Sequence, residues 1–268
     1  MKGLLDGMQG WRMARGAVCL LVAVYLLAPL AIVVIISFSA APFLQFPPPG
    51  LSMRWYSNLF NDPGWTSSLL VSLEVLVPSA VLATVLGTAA SYALVRGSIP
   101  GAGLIQACLL LPIVVPGIIT AAALFGAFRG LGLNGTLTGL IIGHTVLTLP
   151  YVVATVTAAL RSLDPRLEAA AATMGASPAV AFRRVTLPLL APGVLSGLLF
   201  AMVVSFDELI VSLFVSSARV RPVPVQMWSN LRGDFDPTIA AIATICFLFA
   251  TAALLLDSLL RRRTGTSS

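Results

Sequence analysis

Charged side chains make up only 10% of the 268 residues, against about 25% in a soluble domain of ordinary composition. With a mean hydropathy of +0.98, the chain holds more apolar surface than a water-soluble fold can hide. Histidine occurs once and cysteine three times. Cys19, Cys108 and Cys246 each stand alone in a different apolar run, which excludes a disulfide framework and a metal cluster and reads as buried packing residues. A membrane-embedded enzyme needs clustered His, Cys or carboxylates, so the chain is read as performing no covalent chemistry and carrying no cofactor. No Gly-x-x-x-x-Gly-Lys-[Ser/Thr] sequence occurs, which excludes ATP binding through a P-loop.

Long apolar runs are what the sequence does have. A helix needs ~20 apolar residues to cross a hydrocarbon core ~30 Å thick. Runs of that length lie at Ala17–Phe38, Ser67–Val95, Ala102–Phe128, Thr138–Leu160, Leu189–Val215 and Pro237–Leu260. They are continuous rather than alternating, so the fold class is an all-α membrane protein with six transmembrane helices. The expected organisation is an N-terminal segment 1–16, a six-helix domain 17–260 and a polar, loose tail 261–268. Lys2, Arg12 and Arg15 precede the first run, but that run is too long for a cleaved signal peptide and reads as a retained span.

The net charge of +6 reports topology rather than a nucleic-acid partner. With the N-terminus inside, eleven Lys and Arg fall on the inner side (Lys2, Arg12, Arg15, Arg96, Arg161, Arg166, Arg183, Arg184 and Arg261 to Arg263) and five on the outer (Arg54, Arg129, Arg219, Arg221, Arg232). The positive-inside rule then puts both termini in the cytoplasm.

The first outer loop, Ser39 to Trp65, carries Pro47-Pro48-Pro49-Gly50, which cannot be helical, and then Arg54-Trp55-Tyr56, suited to a membrane interface. The link Arg96 to Gly101 is short, so runs two and three should be antiparallel neighbours. Pro112 and Pro116 lie about a turn apart in run three and mark a candidate hinge. Gly130-Leu131-Gly132-Leu133-Asn134-Gly135 fits a dinucleotide fingerprint by letter only. It sits between two apolar runs, without the preceding strand such a site requires.

The informative segment is the long inner loop 161–188. Asp164 before Pro165, and Ser177 before Pro178, are each a helix-capping residue followed by proline at the first helical position. Gly175 suits a left-handed turn ending the first helix, and Pro188 should close the second. Leu167, Ala170, Ala171 and Met174 share one face at i, i+3, i+4, i+7 spacing. Arg183 and Arg184 are placed near the second helix's C-terminus, where cations are favoured. Two short helices with an apolar face, projecting from a membrane bundle, want a partner surface.

This loop resembles the coupling segment of permease subunits of bacterial ABC importers. The pattern there is Glu-Ala-Ala, three residues, Gly, nine residues, an aliphatic, one residue, Leu-Pro. From Gly175 the match runs through Val185 to Leu187-Pro188. At the start, Ala169 stands where the family usually has Glu, and Glu168 lies one position earlier. Ser37-Phe38-Ser39, Pro112 to Gly117, Ser205-Phe206-Asp207-Glu208 and Pro222 to Trp228 resemble the spermidine/putrescine branch. Permeases for iron, opines, amino-acid-like solutes or phosphonates share parts of these markers, and a transporter or channel without an ATPase is a further alternative.

The resemblance implies the type I permease fold, a bacterial inner-membrane location, a second permease subunit, two copies of a cytoplasmic ATPase and a periplasmic solute-binding protein. It implies alternating access, and an ATPase-coupling surface formed by Leu167, Glu168, Ala170, Ala171, Met174, Gly175, Ala176, Ser177, Pro178, Phe182, Arg183, Leu187 and Pro188.

Charges within the apolar runs need a reason, because an ionised group at mid-helix costs roughly 2.5–3.5 kcal/mol. Glu74 and Asp207, with Glu208 beside it, fall ~12 Å from the outer face at the helical rise. They are the candidate substrate-pathway residues and would favour a cation. If helical, Asp207 and Glu208 point about 100° apart and cannot both face one lumen. His144, at comparable depth, reads as a polar helix–helix contact. Asp257 is placed to pair with Arg261 at i, i+4.

Overall fold

The structure is a computed structural model that describes the backbone of residues 2–233 and 236–264, and side chains at 11, 15–233, 236–252 and 255. Its regular elements among these residues are all helices, apart from one isolated bridge between Ser39 and Leu51. In chain order the helices are α1 (Lys2–Ser37), α2 (Arg54–Asn61), α3 (Pro63–Arg96), α4 (Ala102–Val114), α5 (Gly117–Leu131), α6 (Leu137–Ser162), α7 (Arg166–Thr173), α8 (Pro178–Ala181), a π turn (Phe182–Thr186), α9 (Leu187–Phe206), α10 (Ile210–Val215), α11 (Val223–Leu231) and α12 (Thr238–Thr264).

Among the described residues, four helical stretches are long and apolar enough to cross a membrane: Arg15–Ser37, Pro63–Arg96, Leu137–Ser162 and Pro178–Phe206. A fifth crossing is available if α4 and α5 count as one broken span. Several expectations are corrected here. Run three is not one helix, because its axis turns by 106° between α4 and α5. Pro112 stays inside α4, while Pro116 makes the corner. The proline ring holds the preceding Val115 in extended backbone (φ −72°, ψ 132°) and restarts the helix as the residue before Gly117. Nor does the short link lay α4 along α3: α4 packs against α6. Cys19 and Cys108 are exposed on the surface of the chain rather than buried. The Asp257–Arg261 pair rests on side chains outside the described residues. The helix α12 runs on to Thr264, so the tail begins helical, and 265–268 lie outside the described residues.

The chain divides into two units. The first comprises residues up to Asp62 with Asn230–Leu248. Here the proline-rich loop is pinned back on the end of α1. Ala40 N–H donates to Gly50 O at 2.9 Å and Ser52 N–H to Phe38 O at 2.7 Å. The aromatics of α2 complete the clasp, with Trp55 Nε1–H donating to Ser39 O at 2.8 Å and the Tyr56 hydroxyl meeting Ser37 Oγ at 2.8 Å. Arg54 reaches Ala41 O at 2.6 Å. Asp236 caps α12 by accepting from Thr238 N–H at 2.9 Å, and Asn58 Nδ2 donates to Thr238 Oγ1 at 2.9 Å.

The second unit, Pro63–Ser229 with the chain from Phe249, is built on α3, α6 and α9. Ala80 and Ala83 of α3, Val152, Val156 and Leu160 of α6, and Leu190 and Ala201 of α9 form one buried cluster. Small residues set its close spacing. A Cβ placed on Gly87 of α3 would come within 2.8 Å of Val152 Cγ1, and one on Gly197 of α9 within 3.4 Å of the same atom. Val152 thus sits between two glycine notches, the close approach by which membrane helices gain packing where lipid supplies no hydrophobic drive. Some buried hydroxyls are satisfied by their own helix, as with Thr84 Oγ1 to Ala80 O at 2.7 Å and Thr145 Oγ1 to Ile141 O at 2.7 Å, while those of Thr88 and Thr157 have no partner among the described residues. A second cluster joins Val75, Ala121, Phe128, Leu140, Val211 and Val215 around α5 and α10.

Candidate functional site

Two places in the second unit gather the residues singled out from the sequence. The first is the segment 161–188. Asp164 Oδ1 accepts from Arg166 N–H at 2.9 Å, which starts α7 one residue after Pro165. Gly175 has φ +85°, the left-handed value that suits a residue without Cβ. Ala176 N–H donates to Ala171 O at 3.1 Å and Gly175 N–H to Ala172 O at 3.0 Å. These paired bonds are the Schellman closure of a helix.

The second half of the segment departs from expectation. Ser177 gives α8 no side-chain cap; its carbonyl accepts from Ala181 N–H at 2.9 Å. Pro188 closes nothing. It lies in the first turn of α9, and the helix is continuous from Pro178 to Phe206. The π turn Phe182–Thr186 stands just ahead of it, with Leu187 N–H reaching back to Phe182 O. Inserted π turns are frequent at functional sites. Arg183 and Arg184 are exposed on this turn rather than at a helix end.

No residue of α7 is buried. Leu167, Ala170 and Met174 are exposed, Met174 to 87%, while Ala171 and Ala176 are partly covered. Pro178 and Leu187 are exposed and Phe182 is half-buried. Glu168 points the other way. Its carboxylate accepts from Arg96 Nε at 3.1 Å, Thr186 Oγ1 at 2.9 Å and the Tyr92 hydroxyl at 3.2 Å. Arg96 also donates to Leu160 O at 3.3 Å and Leu163 O at 2.9 Å. Phe182 packs edge-on against Tyr92 with ring centroids 4.7 Å apart. Sequence reasoning placed Glu168 on the loop but missed Arg96, Tyr92 and Thr186; the basic residue at the end of α3 was the available signal.

The second place is a break in run five. The helix stops at Phe206 and resumes at Ile210, so Asp207 and Glu208 lie in non-helical backbone and the 100° argument does not apply. Glu208 is half-buried and its Oε1 accepts from Val211 N–H at 2.8 Å, holding the start of α10. Asp207 is exposed, and among the described residues its carboxylate has no hydrogen-bond partner. Glu74 is also exposed, on a stripe of α3 shared with Leu70, Val77 and Val81, and no described contact joins it to Asp207 or Glu208.

His144 is 2% exposed and spans the break. Nδ1 meets Ser205 Oγ and Nε2 meets Ser212 Oγ, each at 2.9 Å, so one ring joins α6 to the end of α9 and to α10. Ser205 Oγ continues to Ser79 Oγ of α3 at 3.1 Å. The polar helix contact read for His144 is thus present. Its two serine partners, and Ser79 beyond them, gave no signal in the sequence, because serine is common in membrane helices as a self-satisfied hydroxyl.

An exposed, Gly-jointed helix on a bundle with a broken, acid-bearing span invites comparison with known transporters. The family of binding-protein-dependent transport system inner membrane components matches residues 83–265. The chain belongs to that family. Among relatives of this permease, the spermidine/putrescine transport system permease protein PotC of Haemophilus influenzae is 31% identical over 250 residues, 93% of this chain and 96% of its own length. The putrescine transport system permease protein PotI of Escherichia coli K12 is 32% identical over 243 residues, 88% of this chain and 85% of its own. The trehalose transport system permease protein SugB of Mycobacterium tuberculosis is 29% identical, across 78% of this chain and 77% of its own. In fold, the permease resembles a chain of a bacterial ABC transporter involved in import of the polysaccharide alginate, with a TM-score of 0.73, 16% identity and 96% of each chain covered. The resemblance read from Gly175 to Pro188 is therefore borne out at the level of the family, and the chain is a multi-pass membrane permease with a transport role.

Proposed function

We propose that this permease is one of two transmembrane subunits of an ATP-driven importer for a polyamine or a similar small organic cation, working by alternating access. The observation that carries the reading is similarity to the spermidine/putrescine permease across 93% of the chain, joined to an α7 with no buried residue, on which Leu167, Ala170 and Met174 are exposed among the described residues. The partners it calls for are a second permease subunit, two copies of a cytoplasmic ABC ATPase and a periplasmic solute-binding protein. ATP hydrolysis belongs to the ATPase. The surface offered to it is Leu167, Ala170, Met174 and Pro178, with Arg183 beside them.

The topology proposed is six crossings of the bacterial inner membrane: α1, α3, α4 with α5, α6, Pro178 through α10, and α12. The bent pair supports a broken span over a re-entrant loop. Its start lies by the end of α6, where Arg161 Nη2 donates to Gln106 Oε1 at 3.4 Å, and its end leads directly into the start of α6. The eleven-to-five charge split supports cytoplasmic termini. Of the three pathway candidates, Asp207 fits best, because it is exposed and free while Glu208 is engaged in holding α10. An unneutralised carboxylate in a low-dielectric passage lowers the cost of admitting a cation.

The test is uptake of radiolabelled spermidine by the complete complex in proteoliposomes, with ATP inside and binding protein outside. ATP-dependent accumulation competed by putrescine is the expected result. A second reading, import of a neutral solute, is favoured by similarity to the trehalose permease; uptake competed by trehalose and not by putrescine would establish it instead.

A further inference from the structure

The ion pair between Arg96 and Glu168 has a role beyond holding a loop in place. Its two side chains are only 15% and 20% exposed. Glu168 is the acidic residue in the first turn of α7, a helix that touches the rest of the bundle through α8 and the π turn. Through this carboxylate α7 is also bonded to two residues of α3, Arg96 and Tyr92, and to the last residue of the π turn, Thr186. The same guanidinium holds the last carbonyls of α6 and the turn after it, at Leu160 and Leu163. One carboxylate–guanidinium pair therefore fastens α7 to the ends of α3, α6 and the rod that becomes α9, the three helices of the main core.

We propose that Arg96 and Glu168 form a strut through which displacement of α7 is delivered to the ends of α3 and α6, with Tyr92 and Thr186 fixing its direction. The geometry separates this from a general stabilising contact. A flexible tether would let α7 move on its Gly175 joint without moving the bundle. A carboxylate receiving three donors from two directions cannot swing on one of them without losing the others, and charge-assisted bonds of this kind are roughly twice as strong as neutral ones. The offset of Glu168 by one position from the family's usual glutamate fits an acid turned inward to its own chain, while the apolar residues of α7 face outward. Arg96 and Glu168 are positioning residues. They touch neither solute nor nucleotide in this arrangement, and the proposal rests on the importer reading above.

The experiment is a double-mutant cycle in the complete reconstituted complex with Arg96→Gln, Glu168→Gln and both together. It measures spermidine accumulated per ATP hydrolysed and the amount of assembled complex. A strut that acts as a unit predicts that each single change lowers uptake per ATP by roughly fivefold or more, the scale of coupling between linked sites. The double variant should be no worse than either single one. Unchanged uptake per ATP in both single variants, or losses that multiply in the double, would overturn the strut. If those variants fail to assemble, Tyr92→Phe and Thr186→Val each remove one donor from the same carboxylate. They must lower the ratio in the same direction, and assembled complexes with the parental ratio would sink the idea. A parent complex that hydrolyses ATP yet accumulates no spermidine would overturn the polyamine reading instead. The cycle is then read on stimulation of hydrolysis by the binding protein, where loss of stimulation in the single variants supports the strut and full stimulation refutes it.

Discussion

Gly175 offers a graded test of the joint after α7, because backbone conformation and packing can be separated there. Its φ is +85°, and a Cβ built at this position meets nothing within 4 Å. Substitution therefore costs conformational energy alone unless a partner subunit lies against the site. A left-handed residue costs an L-amino acid roughly 1–2 kcal/mol, least for Asn, whose short amide can bond locally. A β-branched residue in that region is a true outlier. A penalty of 1–2 kcal/mol changes the population of the native joint by a factor of roughly 5–30. The expected order of transport per ATP is therefore Gly175, then Asn close behind, then Ala, then Val with an order-of-magnitude loss. Assembly should be unchanged, since the spans are untouched. The assay is reconstituted uptake with parallel ATP hydrolysis and quantification of the complex by size exclusion. Full coupling in Gly175→Val would refute the left-handed joint as a requirement. Equal damage from Asn and Val would refute the conformational argument in a different way, by exposing a close contact with a partner.

Reporter fusions after Ser268 and beside Arg221 should give opposite sidedness, with the C-terminal fusion cytoplasmic; the same side for both would sink the six-crossing topology. Asp207→Asn should slow spermidine uptake several-fold with no loss of assembly, whereas Glu208→Gln should mainly destabilise, by about 1 kcal/mol for a weakened helix cap, seen as a lower melting temperature in detergent. Equal flux in Asp207→Asn and the parent would leave that acid without a pathway role. His144→Ala removes both ring contacts, taking the ring partner from Ser212 and leaving Ser205 with Ser79 alone in a buried site, at a cost of roughly 1–3 kcal/mol; a melting temperature unchanged from the parent would show that the break in run five does not depend on the clamp.

Much of the helical frame was legible because the apolar runs are long and their ends carry capping letters. Asp164 before α7 and the left-handed Gly175 were readable as local rules of backbone chemistry. The two discontinuities were not. Proline marks a possible bend, but Pro29, Pro78, Pro112, Pro150 and Pro192 all remain inside helices, and only Pro116 turns the chain through a right angle. The break at Asp207 carries no proline at all. It is held by contacts from other helices, His144 above all, which a pattern along one segment cannot contain. Pro188 failed as a stop signal because the chain enters α9 through a π turn and the helix runs on through the proline. In the candidate site, Glu168 was visible from a one-residue offset in a motif. Its partners on α3 lie 72 and 76 residues away in sequence, beyond any spacing argument.

The unbroken run from Pro178 to Phe206 has a mechanical consequence. It is 29 residues long, so at the helical rise it reaches ~42 Å, and a tilt of about 5° about one end would sweep the other through roughly 4 Å. One end emerges beside the exposed face of α7, and the other stops one residue short of Asp207. A helix of this kind is a lever arm. It would report a small push at the Gly175 joint as a larger lateral shift of the acid at its far tip, with no loop in between to absorb the stroke. Its stiffness at the π turn would then set how faithfully the push arrives.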